Sequence, residues 1–329
     1  MANKDLSQDE AAIYDRQIRL WGIEAQQSIG RAHILIAGLR AVASEVAKNL
    51  VLAGVGSITI LDHTDVTKQA VDSQFFLSDE HVGQNKAEAV APALQALNPR
   101  VNVLIDKEDI HKKADEFFEP FDIVCVFHTD VNLLTRVNDI RHNVSKPFYA
   151  ADAFGWVGYI FCDLVKHTYI EEKHQTPANK SDEPIVTRTT HVETYQPLCK
   201  SLEKNWSTMS AKAIKKRISP IAFLIQILLK YQLKSPQFPS DTEIDELVKD
   251  KDIWLQAVGV NDTSVLDDEI LKGLSLYQTE LPPIAAIIGG VLAQEVIKVL
   301  SAKELPVQNW FYYNGYDGSG LIHQLESTE

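Results

Sequence analysis

The stretch HILIAGLRAVASEVAKNLVLAGVGSITILD, residues 33–62, holds the first residues whose types and spacing suggest chemistry. An apolar run leads into a glycine turn and then a helix, the layout that brings backbone N–H groups to a phosphate. Gly38 takes the first glycine place of the dinucleotide fingerprint, but the third is Arg40 and the sixth is Ala43. Arg40 puts a long side chain where a phosphate would come closest, whereas a methyl at Ala43 is mild. Asp62 closes the second apolar run, where a ribose-binding acid belongs. The segment has the form of a nucleotide site with damaged fit.

Upstream, YDRQIRLWG carries Arg16 and Arg19, three apart and so on adjacent faces of one helix. A guanidinium is a permanent planar cation, well matched to phosphate. The plainer role for Arg16 is an exposed ion pair with Asp15 or Glu10. Tyr14, Ile18 and Trp21 form a stripe that packs rather than binds.

Three cysteines, Cys125, Cys162 and Cys199, lie far apart without a CxxC. That excludes a four-cysteine zinc site, and no metal site is expected. It also suggests a reducing compartment. Cys125 and Cys162 sit in apolar strands and read as core thiols. Lys200 could lower the pKa of Cys199, but no histidine stands at a recognisable spacing.

These residues need a frame. Ser7-Gln8-Asp9-Glu10 has the form of a capping box, opening one helix through AAIYDRQIRLWGIEAQ. From His33 onwards strands and helices alternate. HILIAG, SITILD, VNVLI, FDIVCVF, KPFYAA and WVGYIFCDL read as strands, with a loop at Asp152–Gly155 before the last. The pattern predicts an α/β fold, a doubly wound and mostly parallel sheet of the Rossmann-like type. Residues 171–191 are polar and aperiodic, which suggests a mobile loop. Helices follow on both sides of Pro220, then one acidic helix over DTEIDELVKDKDIWLQAVGV. PIAAIIGGVLAQEVIKVL is apolar nearly all round and should be buried, with Gly289 and Gly290 allowing close contact. NWFYYNGYDGSGLIHQL reads as a hairpin. The expected division is 1–165, 166–280 with a small inserted helical segment, and 281–329 completing the first part.

The chain has 329 residues and a net charge of −13, which argues against nucleic acid and anionic membrane as partners. No apolar run is expected to span a bilayer. The polar, acidic start does not read as a signal or transit peptide.

YDRQIRLWG, the Gly38 turn, LDHTDV at 61–66, HVGQNKAEA at 81–89 and the late IIGGVLAQEVIKVL follow one another in order. Together they resemble the adenylation domain of the activating enzymes for ubiquitin-like proteins, a fold shared with bacterial adenylases of the molybdopterin and thiamine pathways. ADAFGWVGYIFCDL followed by YIEEK, and the short length, are most similar to the SUMO-specific branch, and there to the smaller, non-catalytic half of the heterodimer. The likeness covers most of the chain and is weakest across about 170–280.

The resemblance implies a division of labour. One half binds MgATP and carries the thioester-forming cysteine; the other lends an arginine in trans, and the matching residue here is Arg16. Catalytic halves have an asparagine and an arginine in an NRQFL-like segment, where this chain has Asp72-Ser73-Gln74-Phe75-Phe76. An acid near a triphosphate is repulsive. Asp62, Lys86 and Asp130 stand where the family has its ribose, phosphate and metal contacts, and so are vestigial cofactor-binding candidates; Asp130 also suits a helix cap. The implied partners are the larger catalytic subunit, SUMO and, through the complex, a conjugating enzyme. The implied location is the nucleus, with the cytoplasm as the other option. The alternatives are the same subunit for another modifier, a self-sufficient homodimeric ThiF-type adenylase, and a scaffold in which Arg16 has no role.

Overall fold

The first five apolar runs pair side by side, since most must bury both faces. In the computed structural model, which describes residues 8–175 and 185–324, they form β1 (His33–Ala37), β2 (Ser57–Leu61), β3 (Asn102–Asp106), β4 (Ile123–Phe127) and β5 (Phe148–Phe154). All four pairings among them are parallel, with His33 opposite Ser57 and Ile34 opposite Ile123. The chain then reverses into β6 (Val157–Asp163), leaves as the two-stranded ribbon β7 (Lys166–Gln175) and β8 (Ile185–Thr194), and returns as β9 (Trp310–Asn314) and β10 (Ser319–His323). The sheet order is β10-β9-β6-β5-β4-β1-β2-β3, with its β6, β9 and β10 end antiparallel.

Strand residues alternate between two apolar layers. Ile34, Ile36, Ile123 and Cys125 face one core; Leu35, Val124 and Val126 face the other. The helices supply the outer walls. They are α1 (Gln8–Ile13), α2 (Asp15–Trp21), α3 (Ile23–Ile29), α4 (Ala41–Ala53), α5 (Lys68–Ser73), α6 (Lys86–Leu97), α7 (Asp115–Phe118), α8 (Val131–Asn143), α9 (Leu198–Leu202), α10 (Ala211–Arg217), α11 (Pro220–Gln232), α12 (Asp241–Lys249), α13 (Lys251–Ala257), α14 (Asp268–Lys272) and α15 (Pro282–Ser301). α4, α6 and α15 cover the first core; α8 and α11 cover the second.

Five expectations are corrected. The N-terminal helix is three short ones, broken at Tyr14 and at Gly22, whose φ is +85°. Tyr14 turns inward and its hydroxyl receives Asn98 Nδ2 at 2.8 Å. A Cβ on Gly54 would lie 2.4 Å from that ring, so glycine makes the room. The expected cap at Ser7 lies outside the described residues. Within 171–191, the described residues are strand. Cross-strand pairs Glu172–Arg188 and Glu171–His191 hold the ribbon, and Ile170 N–H donates to Ala302 O at its base. β5 runs on through Phe154, so the loop expected at Asp152 shrinks to a turn. The acidic helix is divided at Asp250 into α12 and α13.

The fifth correction concerns α15. By length and hydropathy it could cross a bilayer, contrary to expectation, but only one side of it is buried in the chain. Gly289 lets it approach α4, where a Cβ would meet Glu45 Cβ at 2.5 Å. Ile288 presses on Gly158 of β6. Ala286, Ile287 and Gln294 face outward, and a Cβ on Gly290 would meet nothing within 4 Å.

Candidate functional site

β1 and β4 are the neighbours between which the strand order reverses, and such a crevice is where open α/β sheets bind ligands. A cavity of about 150 Å³ opens there, lined by Gly38, Arg40, Asp62, Lys86, His111 and His128 among others. Gly38 has φ +91°, and a Cβ on it would lie 2.4 Å from Phe127 O. Its glycine character is therefore set by the β1–β4 crossing, whatever binds above it. Ala43 is fully buried where α4 packs on the sheet.

Arg40 does not point at a ligand. Its Nε lies 3.2 Å from Glu280 Oε1, its Nη2 donates to Gln278 O at 3.1 Å, and its Nη1 lies 2.5 Å from His128 Nε2. Nη1 also lies 2.6 Å from His128 Nδ1; since an arginine can only donate and a carboxylate only accept, the neutral tautomer that serves both neighbours has Nε2 accepting from Arg40 and Nδ1–H donating to Asp152 Oδ2 at 2.9 Å. Tyr277 OH donates to the same oxygen at 2.9 Å, and Ala153 N–H to the other at 2.8 Å. Burial alone would raise the Asp152 carboxyl, but His128, Arg40 and Tyr277 together hold it below the ordinary carboxylate value. Tyr277, His128 and Phe238 form a cluster of three near-parallel rings, with centroids 4.5 Å apart for Tyr277–His128, 3.4 Å for Tyr277–Phe238 and 5.4 Å for His128–Phe238.

Glu280 completes the arrangement. Its Oε1 accepts Ala41 N–H at 2.6 Å, the first free donor of α4, and Ser73 Oγ lies 3.1 Å from Oε2. The Glu280 side chain is 8% exposed and that of Arg40 12%. The start of α4, where a phosphate would sit, thus holds a carboxylate from 239 residues away.

The vestigial candidates are also engaged, with one exception. Asp62 accepts Leu39 N–H at 2.6 Å on one oxygen, and Thr64 N–H and Oγ–H at 2.8 and 2.6 Å on the other. It is buried and its lone pairs are taken up by the turn. Asp130 caps α8, accepting Asn132 and Leu133 N–H, and its second oxygen meets His111 Nε2 at 3.0 Å. Burial lowers the His111 pKa, but its bonds to Asp130 and Asp109 outweigh that and raise it. Lys86 opens α6 on the cavity wall, and its ammonium has no bond among the described residues. These residues do not fit MgATP: the phosphate seat is filled, and both acids serve the fold. Among the described residues no His, Cys, Asp and Glu cluster could hold a metal ion.

The segment matched to the family's polar ATP ligands is turned inward only in part. Asp72 is exposed, Ser73 goes to Glu280, and buried Gln74 bonds Ser44 Oγ and Leu39 O. Burial pushes the thiols of Cys125 and Cys162 well up. Cys199 is raised too, by burial and then by Asp139, against the expected effect of Lys200, whose ammonium pairs with Glu203.

Arg16 lies elsewhere, on exposed α2. The pairings that would have occupied it go to others. Asp15 pairs with Arg19 at 2.9 Å, and Glu10 with Arg100 at 3.7 Å. Arg16 has no hydrogen bond or ion pair among the described residues. Around it Ile13, Leu20 and Ile23 are 60%, 76% and 50% exposed. A groove of about 390 Å³, lined by Leu20, Trp21, Ile170, Gln294 and Ile297 among others, joins this region to α15. Trp21 itself is half-buried, its indole donating to Gln26 at 3.2 Å, so the Tyr14 stripe packs as expected.

Glu280, His128, Asp152 and Tyr277 were not found from the sequence. Glu280 precedes Leu281-Pro282-Pro283 with no local motif, so only the fold reveals its destination.

The model of the ThiF family matches residues 14–328. SUMO-activating enzyme subunit 1 of Homo sapiens is 36% identical over 341 aligned residues, covering 98% of this chain and 97% of the human protein. The Bos taurus protein of that name is 37% identical at the same coverage, and the Danio rerio protein 36% over 339 residues. Among solved structures, SeMet PaaA aligns with a TM-score of 0.55 at 12% identity, over 98% of this chain and 76% of that one, a likeness of fold.

Proposed function

The chain belongs to the ThiF family, and from that premise we propose that it is the non-catalytic half of a heterodimer that adenylates the C-terminus of SUMO with MgATP. The modifier and the pairing follow from the subunit-1 name its relatives carry. MgATP binds in the larger subunit, whose cysteine then takes the modifier as a thioester. The complex passes it to a conjugating enzyme. The reading places the protein in the nucleus, with the cytoplasm as the alternative.

One observation carries this reading: Arg16 is exposed and has no partner among the described residues, while Asp15 pairs with Arg19 and Glu10 with Arg100. In adenylation a carboxylate oxygen attacks the α-phosphorus, and negative charge accumulates on the departing pyrophosphate. A guanidinium delivered from the second subunit neutralises that charge without competing for proton transfer. Because Arg16 lies outside the chain's own crevice, it acts only when the halves dock, so adenylation depends on assembly. Two features support a docked partner: the apolar residues beside Arg16 and the outward face of α15. An obligate interface would bury on the order of 2,000–5,000 Å². The filled seat disfavours a self-sufficient adenylase, and the raised thiols disfavour a thioester on this chain.

The test is ATP–pyrophosphate exchange in the presence of modifier. It is measured for the chain alone, for the pair, and for the pair carrying Arg16→Ala. Exchange by the chain alone would sink the proposal. An unchanged rate in the variant pair would leave a scaffold.

A further inference from the structure

We propose that the start of α4 is still a working anion seat, and that Glu280 is its permanent internal occupant. The inference goes beyond the function proposed above and does not depend on Arg16. It concerns why this crevice takes no phosphate: its donors are present but already used.

Three donors from two segments converge on one carboxylate. Ala41 N–H and Arg40 Nε reach Oε1, and Ser73 Oγ reaches Oε2, at 2.6, 3.2 and 3.1 Å. α4 has 13 residues, so its partial positive charge at this end is fully developed. An ordinary cap would come from position 40 itself, but Arg40 makes no side-chain cap bond. The anion is brought instead by a strap of four consecutive residues, each tied to the crevice. Tyr277 OH bonds Asp152, Gln278 O accepts from Arg40 and Gln69, Thr279 O accepts Gly155 N–H, and Glu280 takes the seat. Leu281 then leads into α15, whose first two residues are prolines, so the strap is anchored at its far end.

Removing the carboxylate leaves a cation and a helix start with no counter-charge, beside the Ser73 hydroxyl, which also lies 3.2 Å from Gln69 O and 3.3 Å from Ala70 O. A small oxyanion would satisfy the same donors. Glu280 therefore competes directly with phosphate at the start of α4, while the cavity beside Lys86 stays open.

The experiment titrates inorganic phosphate against the full chain, with chloride at matched ionic strength, reading the melting midpoint. Wild type, Glu280→Ala, Glu280→Gln and the double variant Arg40→Ala with Glu280→Ala are compared. Glu280→Ala should melt lower without phosphate and recover with it, half-saturating at a phosphate concentration about tenfold or more below that of wild type. The gain should vanish in the double variant. Glu280→Gln keeps the side-chain shape and guards against misfolding of the alanine form; it should show the same gain, smaller. No gain over wild type in either single variant overturns the proposal, as does a gain that survives loss of Arg40.

Discussion

Two arginines, 24 positions apart in sequence, have opposite fates in this fold. Arg40 is nearly buried and bonded to Glu280, His128 and a carbonyl; Arg16 is exposed and bonded to none of the described residues. The difference follows from desolvation. A charge taken out of water must be matched within the chain, so Arg40 collects three partners from two distant segments. A charge left in water has no such need and stays available to another molecule. At the start of α4 the region shaped like a nucleotide site has its charges matched, though Lys86 on its wall has no bond among the described residues, whereas the region shaped like a plain surface helix leaves Arg16 unmatched among them.

The comparison breaks most readily at Arg16. Arg16→Ala should slow exchange by the assembled pair about 10³-fold, or about 4 kcal/mol of barrier. The denaturation midpoint of the chain alone should barely move, so a large loss of stability would place Arg16 with Arg40 instead. Next in size, Arg40→Ala should lower stability by about 3 kcal/mol in urea unfolding, because it strands a buried Glu280. A change below about 0.5 kcal/mol would mean the seat is open to water.

Acidification supplies a charge-state control in a third region. His323 on β10 is buried and its Nε2 accepts Ser219 N–H, and burial pushes its pKa down to about 4. Unfolded histidine titrates near 6.5, so the unfolded chain gains a proton first. Stability from this residue is complete above about pH 6.5 and is lost as pH falls towards 4. From pH 7 to 5 the loss should be about 2 kcal/mol. His323→Gln should flatten that slope, whereas Arg40→Ala should retain it. The smallest effect belongs to Arg19, which holds Asp15 in water. Arg19→Ala should change stability by less than about 0.5 kcal/mol and leave exchange close to wild type.

Much of this was legible in the sequence, and its limits are physical. The parallel strands, α4 with its Gly54 cap, α6, α8 and the closing hairpin all announce themselves within a dozen residues, through apolar period and turn chemistry. The ribbon β7–β8 did not, because its exposed polar strands lack apolar alternation and are held by cross-strand pairs. The break at Tyr14 was hidden for a related reason: the ring's pocket is built by Gly54 and Asn98. For α15, composition recorded total hydrophobicity but not which side the sheet would cover.

The sequence by itself determined that position 40 is no longer glycine, that the cysteines are poor nucleophiles in context, and that Arg16 sits in a motif fit for phosphate. Those are properties of residue type and near neighbours. Only the tertiary structure decided that Glu280 fills the seat, that Asp62 takes Leu39 N–H, and that Arg100 pairs with Glu10 beside Arg16. Each of these is a choice of partner, and the partner of a charge depends on which segments the packed sheet brings within about 3 Å, over separations as long as the 239 residues from Ala41 to Glu280.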